Sequence, residues 1–311
     1  MAIDLRPGPR ERAARRQPGR VRSTERERAR IRCAECSRIL VGPERQPGAV
    51  TGAELSGVGD VARTTAVVAP GKIICVGLNY RDHVAEGAGR EVPEWPLLFS
   101  KFANTVVADG EPIVRPEGTH ALDLEVELGV VIGRRARRVS VEGAMAHVAG
   151  YVVVNDVSAR DWQGNKAALL EGQKGDGQWL RAKGSDTFLP VGPVFASADE
   201  LDPAAGLRLR SWLIPGPGRP GAGEMQLMQD GTTADMIFSI PELIAFISRH
   251  ITLDPGDLIA TGTPSGVGVF RDPPIFLEPG DRVRCEIDGI GSVENPIVDW
   301  TDDPREPPAL T

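Results

Sequence analysis

Three acidic residues have the types and the spacing of a divalent-metal site. Glu125 and Glu127 stand two apart in a strongly apolar stretch, and Asp156 comes soon after the apolar run 151–154. Side chains two apart on a strand point to the same face, so the two glutamates would project together. Neighbouring buried carboxylates repel unless one is protonated or a cation lies between them, and an all-oxygen ligand set favours Mg²⁺ or Mn²⁺. The alternative is an ordinary amphipathic strand with both glutamates on its solvent face.

A histidine and a glutamate three residues apart form a second candidate group. On a helical turn the Glu86 carboxylate can hold the His83 imidazole and raise its basicity, which is the arrangement of a general-base pair. The same spacing is also common in surface ion pairs. The other histidines, His120, His147 and His250, show no partner pattern, and we predict that they are not catalytic.

These groups occur together with two further motifs, and the combination resembles the fumarylacetoacetate hydrolase family. One motif is the stretch 181–193, which contains Lys183, and the other is 256–268, which contains Thr263. The resemblance runs in order through residues 70–298. It implies a β-rich α+β fold of the β-sandwich roll type with few helices, and a homodimer.

The resemblance also implies roles for individual residues. The metal ligands for Mg²⁺ or Mn²⁺ would be Glu125, Glu127 and Asp156. The catalytic residues would be His83 and Glu86, which activate water, and Lys183. The substrate would meet Arg81, Gln163, Lys183 and Thr263. We interpret Arg160 as structural. Some relatives have a fourth acidic ligand upstream of the histidine, but residues 74–77 offer none, so we expect three protein carboxylates.

The implied reaction is hydrolysis of a C–C bond in a β-diketone or acylpyruvate-type 2-oxo acid, in the catabolism of aromatic compounds or sugar acids. The alternative is isomerisation of 2-hydroxyhepta-2,4-diene-1,7-dioate, or decarboxylation of 5-oxopent-3-ene-1,2,5-tricarboxylate or oxaloacetate, at the same metal site. A rival from another class is a catalytically silent metal-binding or regulatory protein whose N-terminus binds nucleic acid. The complete set of His83, Glu86 and Lys183 argues against that rival.

The elements that must position these residues are mostly strands. Short apolar runs separated by Gly, Pro and Asp predict strands at 73–76, 97–100, 124–132, 148–154, 207–213, 258–261 and 282–287. Helical spacing of apolar residues predicts helices at 141–146 and 240–250. Because helices do not alternate regularly with strands, a doubly wound parallel sheet is not expected.

The charge distribution divides the chain. The 311 residues carry a net charge of −7, yet residues 1–47 hold 13 arginines, no lysine and six acids. We interpret 1–47 as a disordered segment or a misassigned start, 48–70 as a short remnant of an N-terminal segment, 71–300 as the catalytic domain and 301–311 as a tail. The acidic balance argues against nucleic-acid binding by the catalytic domain.

The sequence favours a cytoplasmic protein without a membrane partner. No apolar run approaches the ~18 residues of a membrane span, and the N-terminus lacks the apolar core of a signal peptide. Cys75 and Cys285 lie in apolar runs and are predicted to be reduced core residues. Cys33 and Cys36 form a lone Cys-x-x-Cys without a second ligand pair, so we do not expect a zinc site there.

Two stretches have the character of insertions. Residues 215–223 are rich in Pro and Gly, which excludes a helix or a central strand. Residues 164–176 are polar and lie between the predicted site residues Gln163 and Lys183. We interpret 164–176 as part of a lid in which substrate selectivity would arise.

Overall fold

The computed structural model describes residues 64–65, 70–87, 89 and 91–305. The interpretations of 1–47 and of Cys33 and Cys36 lie outside the described residues, as do most of the predicted remnant 48–70 and the end of the tail.

Sixteen strands and five α-helices occur in the described part of the chain. The strands are β1 Thr64–Thr65, β2 Ile73–Gly77, β3 Leu97–Lys101, β4 Val106–Val107, β5 Ile113–Arg115, β6 Leu122–Asp123, β7 Val126–Ile132, β8 Val148–Asn155, β9 Ser158–Ala159, β10 Leu189–Pro190, β11 Val194–Ser197, β12 Arg208–Ile214, β13 Gln226–Thr232, β14 Leu258–Ala260, β15 Arg282–Ile287 and β16 Gly291–Asp299. The helices are α1 Arg81–Glu86, α2 Val141–Ala144, α3 Arg160–Gln163, α4 Trp179–Gly184 and α5 Ile240–Ser248.

Two sheets contain most of the strands. The seven-stranded sheet has the order β1-β11-β8-β7-β14-β2-β3, and the five-stranded sheet has the order β13-β12-β15-β16-β5. Within these two sheets only β14 with β2 and β16 with β5 pair in parallel, among the described residues. The predicted β-rich fold with few helices is confirmed, and the architecture is not doubly wound.

The main core lies between the two sheets. Leu128 and Val130 of β7 belong to the same buried cluster as Leu209 of β12 and Val283 of β15. Alternate residues of β7 point the other way, where Val131 packs in a second buried cluster. Both faces of β7 are therefore covered, so side chains on its second face are shielded from water as well.

The pairing of β7 with β8 brings the acidic residues together. Val126 lies opposite Asn155 and Glu127 lies opposite Val154 in the antiparallel ladder. Just beyond the ladder, the Asp156 amide donates to the Glu125 carbonyl at 2.9 Å. Two carboxylates that are far apart in the sequence thus become neighbours through strand register alone.

Helix α5 shows why the predicted helices form. Its first turn contains Pro241, and the Glu242 carboxylate accepts hydrogen bonds from the Ser239 amide and hydroxyl. Its apolar side chains are buried, as the helical spacing predicted. The helix ends at Ser248, two residues before the predicted end, and α2 likewise ends at Ala144 and continues as a 3₁₀ turn to His147.

Sequence patterns found the apolar strands and missed the polar ones. All seven predicted strands form; 282–287 has the predicted ends, and the other six differ by one or two residues at an end. The longest missed strands, β13 and β16, carry the buried polar residues Gln229 and Asn295 at inward positions. Gln229 Oε1 accepts from the Val126 amide, and Asn295 Nδ2 donates to two carbonyls. Hydrogen bonding in place of apolar contact hides the alternation on which strand prediction depends.

Other expectations about the fold are confirmed. Residues 215–223 contain neither helix nor strand. Cys75 and Cys285 are buried and free. In the part of the chain that the structure describes, every helix is too short or too polar to cross a lipid bilayer.

Truncating the buried side of β7 should destabilise the whole protein. Leu128 is fully buried in the main core, so Leu128→Ala should lower the free energy of unfolding by about 2–5 kcal/mol. Leu227→Ala is the matched control, because the Leu227 side chain is 48% exposed and its loss should cost less than about 0.5 kcal/mol. Urea denaturation measures both, and equal losses would contradict this account of the core.

Candidate active site

Most of the predicted site residues line one cavity. It has a volume of about 320 Å³, and its wall includes His83, Glu125, Glu127 and Lys183. These residues come from α1, from the start of β7 and from α4. Two members of the acidic group and the histidine of the His–Glu pair therefore border the same space.

The carboxylates of Glu125, Glu127 and Asp156 form a compact buried cluster. One ligand oxygen from each residue lies within 4.8 Å of the other two. The three residues are 5%, 1% and 0% exposed. The alternative in which both glutamates occupy a solvent face is wrong, because the second face of β7 is covered.

The residues of this cluster fit a hard divalent cation. All donors are oxygens, which is the set that Mg²⁺ and Mn²⁺ prefer. Asp156 Oδ1 is buried and accepts no hydrogen bond, so its lone pairs can serve as ligands. Burial, and then the neighbouring charges of Asp156 and Glu125, raise the pKa of Glu127 well above its ordinary value. Without a cation the cluster is therefore expected to hold a proton at Glu127.

Cationic side chains hold Glu125 in its ionised form. Burial favours the neutral acid, but Arg160 and Lys183 outweigh burial and keep the pKa of Glu125 well below its usual range. Lys183 Nζ donates to Glu125 Oε2 at 2.7 Å and to Asp156 Oδ2 at 2.8 Å. Burial lowers the pKa of Lys183, but Asp156 and Glu125 overcome burial and raise it. The ammonium of Lys183 is thus retained beside the cluster.

Arg160 connects the cluster to an acidic residue that sequence reasoning missed. Its guanidinium donates to Glu125 Oε1 at 2.6 Å and to Asp123 Oδ2 at 2.9 Å. Asp123 Oδ1 also accepts from the Gly268 amide at 2.8 Å. A Cβ at Gly268 would lie only 1.9 Å from the Ile275 carbonyl oxygen, so this turn requires glycine. Arg160 borders the cavity, and its contacts agree with a structural role.

In the His83–Glu86 pair of α1, His83 is buried, Glu86 is half-buried, and both are held by hydrogen bonds. His83 Nδ1 lies 2.9 Å from Glu86 Oε2, and Glu86 Oε1 accepts from the Gly266 amide at 2.7 Å. Asp82 Oδ2 accepts from the Ser265 hydroxyl at 2.7 Å, so the helix and the loop are joined twice. With Nδ1 directed at Glu86, Nε2 is the imidazole nitrogen left for chemistry.

The predicted substrate residues divide into two groups. Gln163 and Thr263 border the cavity, whereas Arg81 is exposed and is not part of its wall. The Thr263 hydroxyl donates to the Val126 carbonyl and accepts from Gln229 Nε2, so its hydrogen is already used. The remaining histidines, His120, His147 and His250, do not line the cavity.

Buried polar residues around the site were not found by sequence reasoning. They are Lys101, Asp123 and Gln229. The only available signals were a charge that ends the apolar run 97–99 and an acid that precedes the glutamate pair. Residues 164–176 do reach the site, since Gly164 and Asn165 line the cavity. Their function as a lid stays a prediction.

A comparison with known protein families agrees with this geometry. The family model described as fumarylacetoacetate (FAA) hydrolase C-terminal matches residues 72–298. The chain belongs to the fumarylacetoacetate hydrolase family. It is accordingly an enzyme of that family, and the alternative of a silent regulatory protein loses its support.

Named relatives of this family member differ in their reactions. An oxaloacetate tautomerase from Xenopus laevis, named as mitochondrial, is 42% identical over 239 residues, which are 77% of this chain and 69% of that protein. A human oxaloacetate tautomerase, also named as mitochondrial, is 41% identical over 239 residues, 77% of this chain and 70% of that protein. The crystal structure of a 2-hydroxyhepta-2,4-diene-1,7-dioate isomerase from Mycobacterium marinum matches with a TM-score of 0.60 and 39% identity, over 75% of this chain and 76% of that one.

The metal-free protein should become less stable relative to Glu127→Gln as the pH rises. The raised pKa of Glu127 means that the folded state keeps a proton that the unfolded state releases above the ordinary value of 4.5. The free energy of unfolding therefore falls as the pH increases from that value through the folded pKa. Glu127→Gln abolishes this titration. In EDTA, the free energy of unfolding of Glu127→Gln should therefore exceed that of the native protein most at alkaline pH, and the difference should shrink toward acid pH.

Urea unfolding of both proteins across this pH range measures the effect. Glu117→Gln is the control, because Glu117 is exposed. A difference between the native protein and Glu127→Gln that did not change with pH would contradict the buried, protonated glutamate.

Proposed function

We propose that this protein catalyses keto–enol proton transfer on a 2-oxo acid such as oxaloacetate, with Mg²⁺ or Mn²⁺ as cofactor. The observation that carries the proposal is a cavity whose wall contains Glu125, Glu127 and His83. Asp156 completes the buried carboxylate cluster, and Glu86 holds the His83 ring. Relatives at 41–43% identity that are named oxaloacetate tautomerases support this choice of reaction.

Glu125, Glu127 and Asp156 would hold the divalent cation. A bound cation would supply Lewis acidity at the oxygens of a 2-oxo acid and so favour the enolic form. Lys183 contributes a second positive charge within hydrogen-bond distance of Glu125 and Asp156. The positive charge of Lys183 also attracts the carboxylate of an incoming substrate into a cavity that is otherwise rich in acids.

His83 would move the proton. Glu86 fixes the ring through Nδ1, so Nε2 can remove a proton from the carbon next to the keto group and deliver it to the oxygen of the resulting enolate. In the reverse direction it would take the proton from the enol oxygen and return it to the carbon. The interaction with Glu86 stabilises the imidazolium that forms in between. Tautomerisation needs this single proton carrier and no attacking water, which makes it the simplest reaction for the arrangement.

Hydrolysis of the C–C bond of an acylpyruvate is the second candidate. The same His83–Glu86 pair could take a proton from water, and the cavity provides an apolar wall for an acyl chain through Leu78, Leu97, Phe99 and Trp179. Isomerisation of a dienoic diacid, or decarboxylation, would use the same proton carrier. The similarity to the Mycobacterium marinum isomerase supports isomerisation as an alternative. A place in aromatic-compound catabolism would follow from the hydrolase or isomerase reaction.

Two further properties belong to the proposal. The family resemblance implies a homodimer, which light scattering on the full chain would test. The cytoplasmic location stays a prediction from the sequence, while the tautomerases from Xenopus laevis and human are named as mitochondrial. Cell fractionation followed by detection of the protein would decide the location.

A substrate panel tests the proposed reaction. The protein would be stripped with EDTA, reloaded with Mg²⁺ or Mn²⁺, and assayed in parallel for oxaloacetate enol–keto conversion, oxaloacetate decarboxylation, diene-dioate isomerisation and acylpyruvate cleavage. We expect metal-dependent tautomerisation to be fastest. Faster acylpyruvate cleavage would replace it with the hydrolase, and no turnover of any substrate with either metal would reject the proposal.

Removing the proton carrier should abolish most of the activity without loss of the metal site. His83→Asn should lower kcat by about 10²–10⁴-fold, the usual contribution of general acid–base catalysis, and Glu86→Gln should have a smaller effect. His147→Asn is the matched control, because His147 is outside the cavity and pairs with the Arg134 carbonyl. A His83→Asn enzyme that kept more than about a tenth of native kcat would rule out His83 as the carrier.

A further inference from the structure

Lys101 is a buried ammonium at the end of β3 that the proposed chemistry does not use. Its side chain is fully shielded from solvent. Nζ donates to the carbonyls of Val157, Lys183 and Phe188 at 3.0, 2.6 and 2.7 Å. Three acceptors require three N–H groups, which only the charged form of lysine possesses. Burial lowers the pKa of Lys101 from its ordinary value despite the neighbouring Asp156, while the three acceptors around Nζ favour the charged form.

The fourth neighbour of this ammonium is the acidic cluster. Lys101 Nζ lies 2.7 Å from Asp156 Oδ1, yet that oxygen accepts no hydrogen bond. An ammonium has three N–H groups and the three carbonyls can use all of them, so we treat the contact with Asp156 as an ion pair. Lys101 thus places a positive charge on one side of Asp156 Oδ1 and leaves the other side of that oxygen available to a cation.

The three carbonyls connect Lys101 to both functional segments. Val157 directly follows Asp156, and the second carbonyl belongs to Lys183 itself, whose ammonium contacts Asp156 Oδ2 at 2.8 Å. Phe188 lies on the segment that follows α4, and its carbonyl also accepts from the Val157 amide. One side chain on the edge strand therefore fixes the backbone on both sides of the contact between Asp156 and Lys183.

We propose that Lys101 is a positioning residue that sets Asp156 and Lys183 in the arrangement that binds the divalent cation. The inference rests on the metal site of the proposed function. Its physical basis is that groups which orient a ligand from behind reduce the cost of organising that ligand when the metal arrives. A lysine that served the fold alone would affect stability, but it would not change the affinity of the folded protein for the metal.

The test compares Lys101→Met with Lys72→Met in the full-length protein. Methionine keeps the length of the aliphatic chain and removes the charge and the donors. Lys72 pairs with Asp254 and Asp257, and it is not part of the cavity wall. Two quantities would be measured for each variant. These are the Kd for Mn²⁺ by titration calorimetry, and the rise in Tm that saturating Mg²⁺ produces.

We expect Lys101→Met to bind Mn²⁺ about 10–100-fold more weakly than the native protein and to lose most of the Mg²⁺-dependent rise in Tm. Lys72→Met should have a lower Tm in the absence of metal, but its Kd for Mn²⁺ and its Mg²⁺-dependent rise in Tm should equal those of the native protein. If Lys101→Met had a lower Tm and the native Kd, Lys101 would be structural only and the inference would be overturned. If the native protein itself bound neither metal, the proposed function would fail instead.

If Lys101→Met does not fold, Lys101→Arg tests whether Lys101 positions the metal site. Arginine keeps the positive charge in the core, but its planar guanidinium cannot direct donors at three carbonyls placed around a tetrahedral ammonium. We expect a folded protein whose Mn²⁺ Kd is raised by at least about threefold, less than the loss for methionine. A native Kd for Lys101→Arg would overturn the positioning role.

Discussion

Three carboxylates are buried around one point, and the neighbouring residues of the site compensate the cost of burying them. Each ionised group costs about several kcal/mol to remove from water, and their mutual repulsion adds to that cost. Arg160 and Lys183 offset the charge of Glu125, and Lys183 also pairs with Asp156. The Gly262 amide donates to Glu127. Among the described residues, Glu127 is the member of the cluster without an ion pair to a cationic side chain. Its raised pKa favours a proton there in the free protein, and a bound cation would take the place of that proton.

The surrounding fold explains why such a costly cluster is retained. Its members are placed by the β7–β8 ladder, which is covered on both faces, so the carboxylates cannot turn outward to reach water. A site built on strands holds its ligands more accurately than one built on loops. His83, in contrast, belongs to the short helix α1, which the Asp82 and Glu86 carboxylates attach to the loop after β14.

The sequence was sufficient to predict those site residues whose spacing follows the period of a strand or a helix. Glu125 and Glu127 follow the two-residue period of a strand, and His83 and Glu86 follow the turn of a helix. Lys101 could not be found in this way, because its partners are backbone carbonyls of residues 56 or more positions away. Carbonyls are present at every residue, so no pattern of side-chain types indicates which of them a distant lysine will meet.

The short strand β14 determines how the two halves of the site stand relative to each other. It pairs with β7, which carries Glu127, and with β2, which leads into the helix that carries His83. The loop that follows it then donates to Glu127 through Gly262 and to Glu86 through Gly266. The separation between the acidic cluster and His83 is consequently set by sheet and loop hydrogen bonds. In the proposed reaction, this fixed separation would favour substrates in which the oxygens held at the acidic cluster and the carbon deprotonated by His83 are the same distance apart.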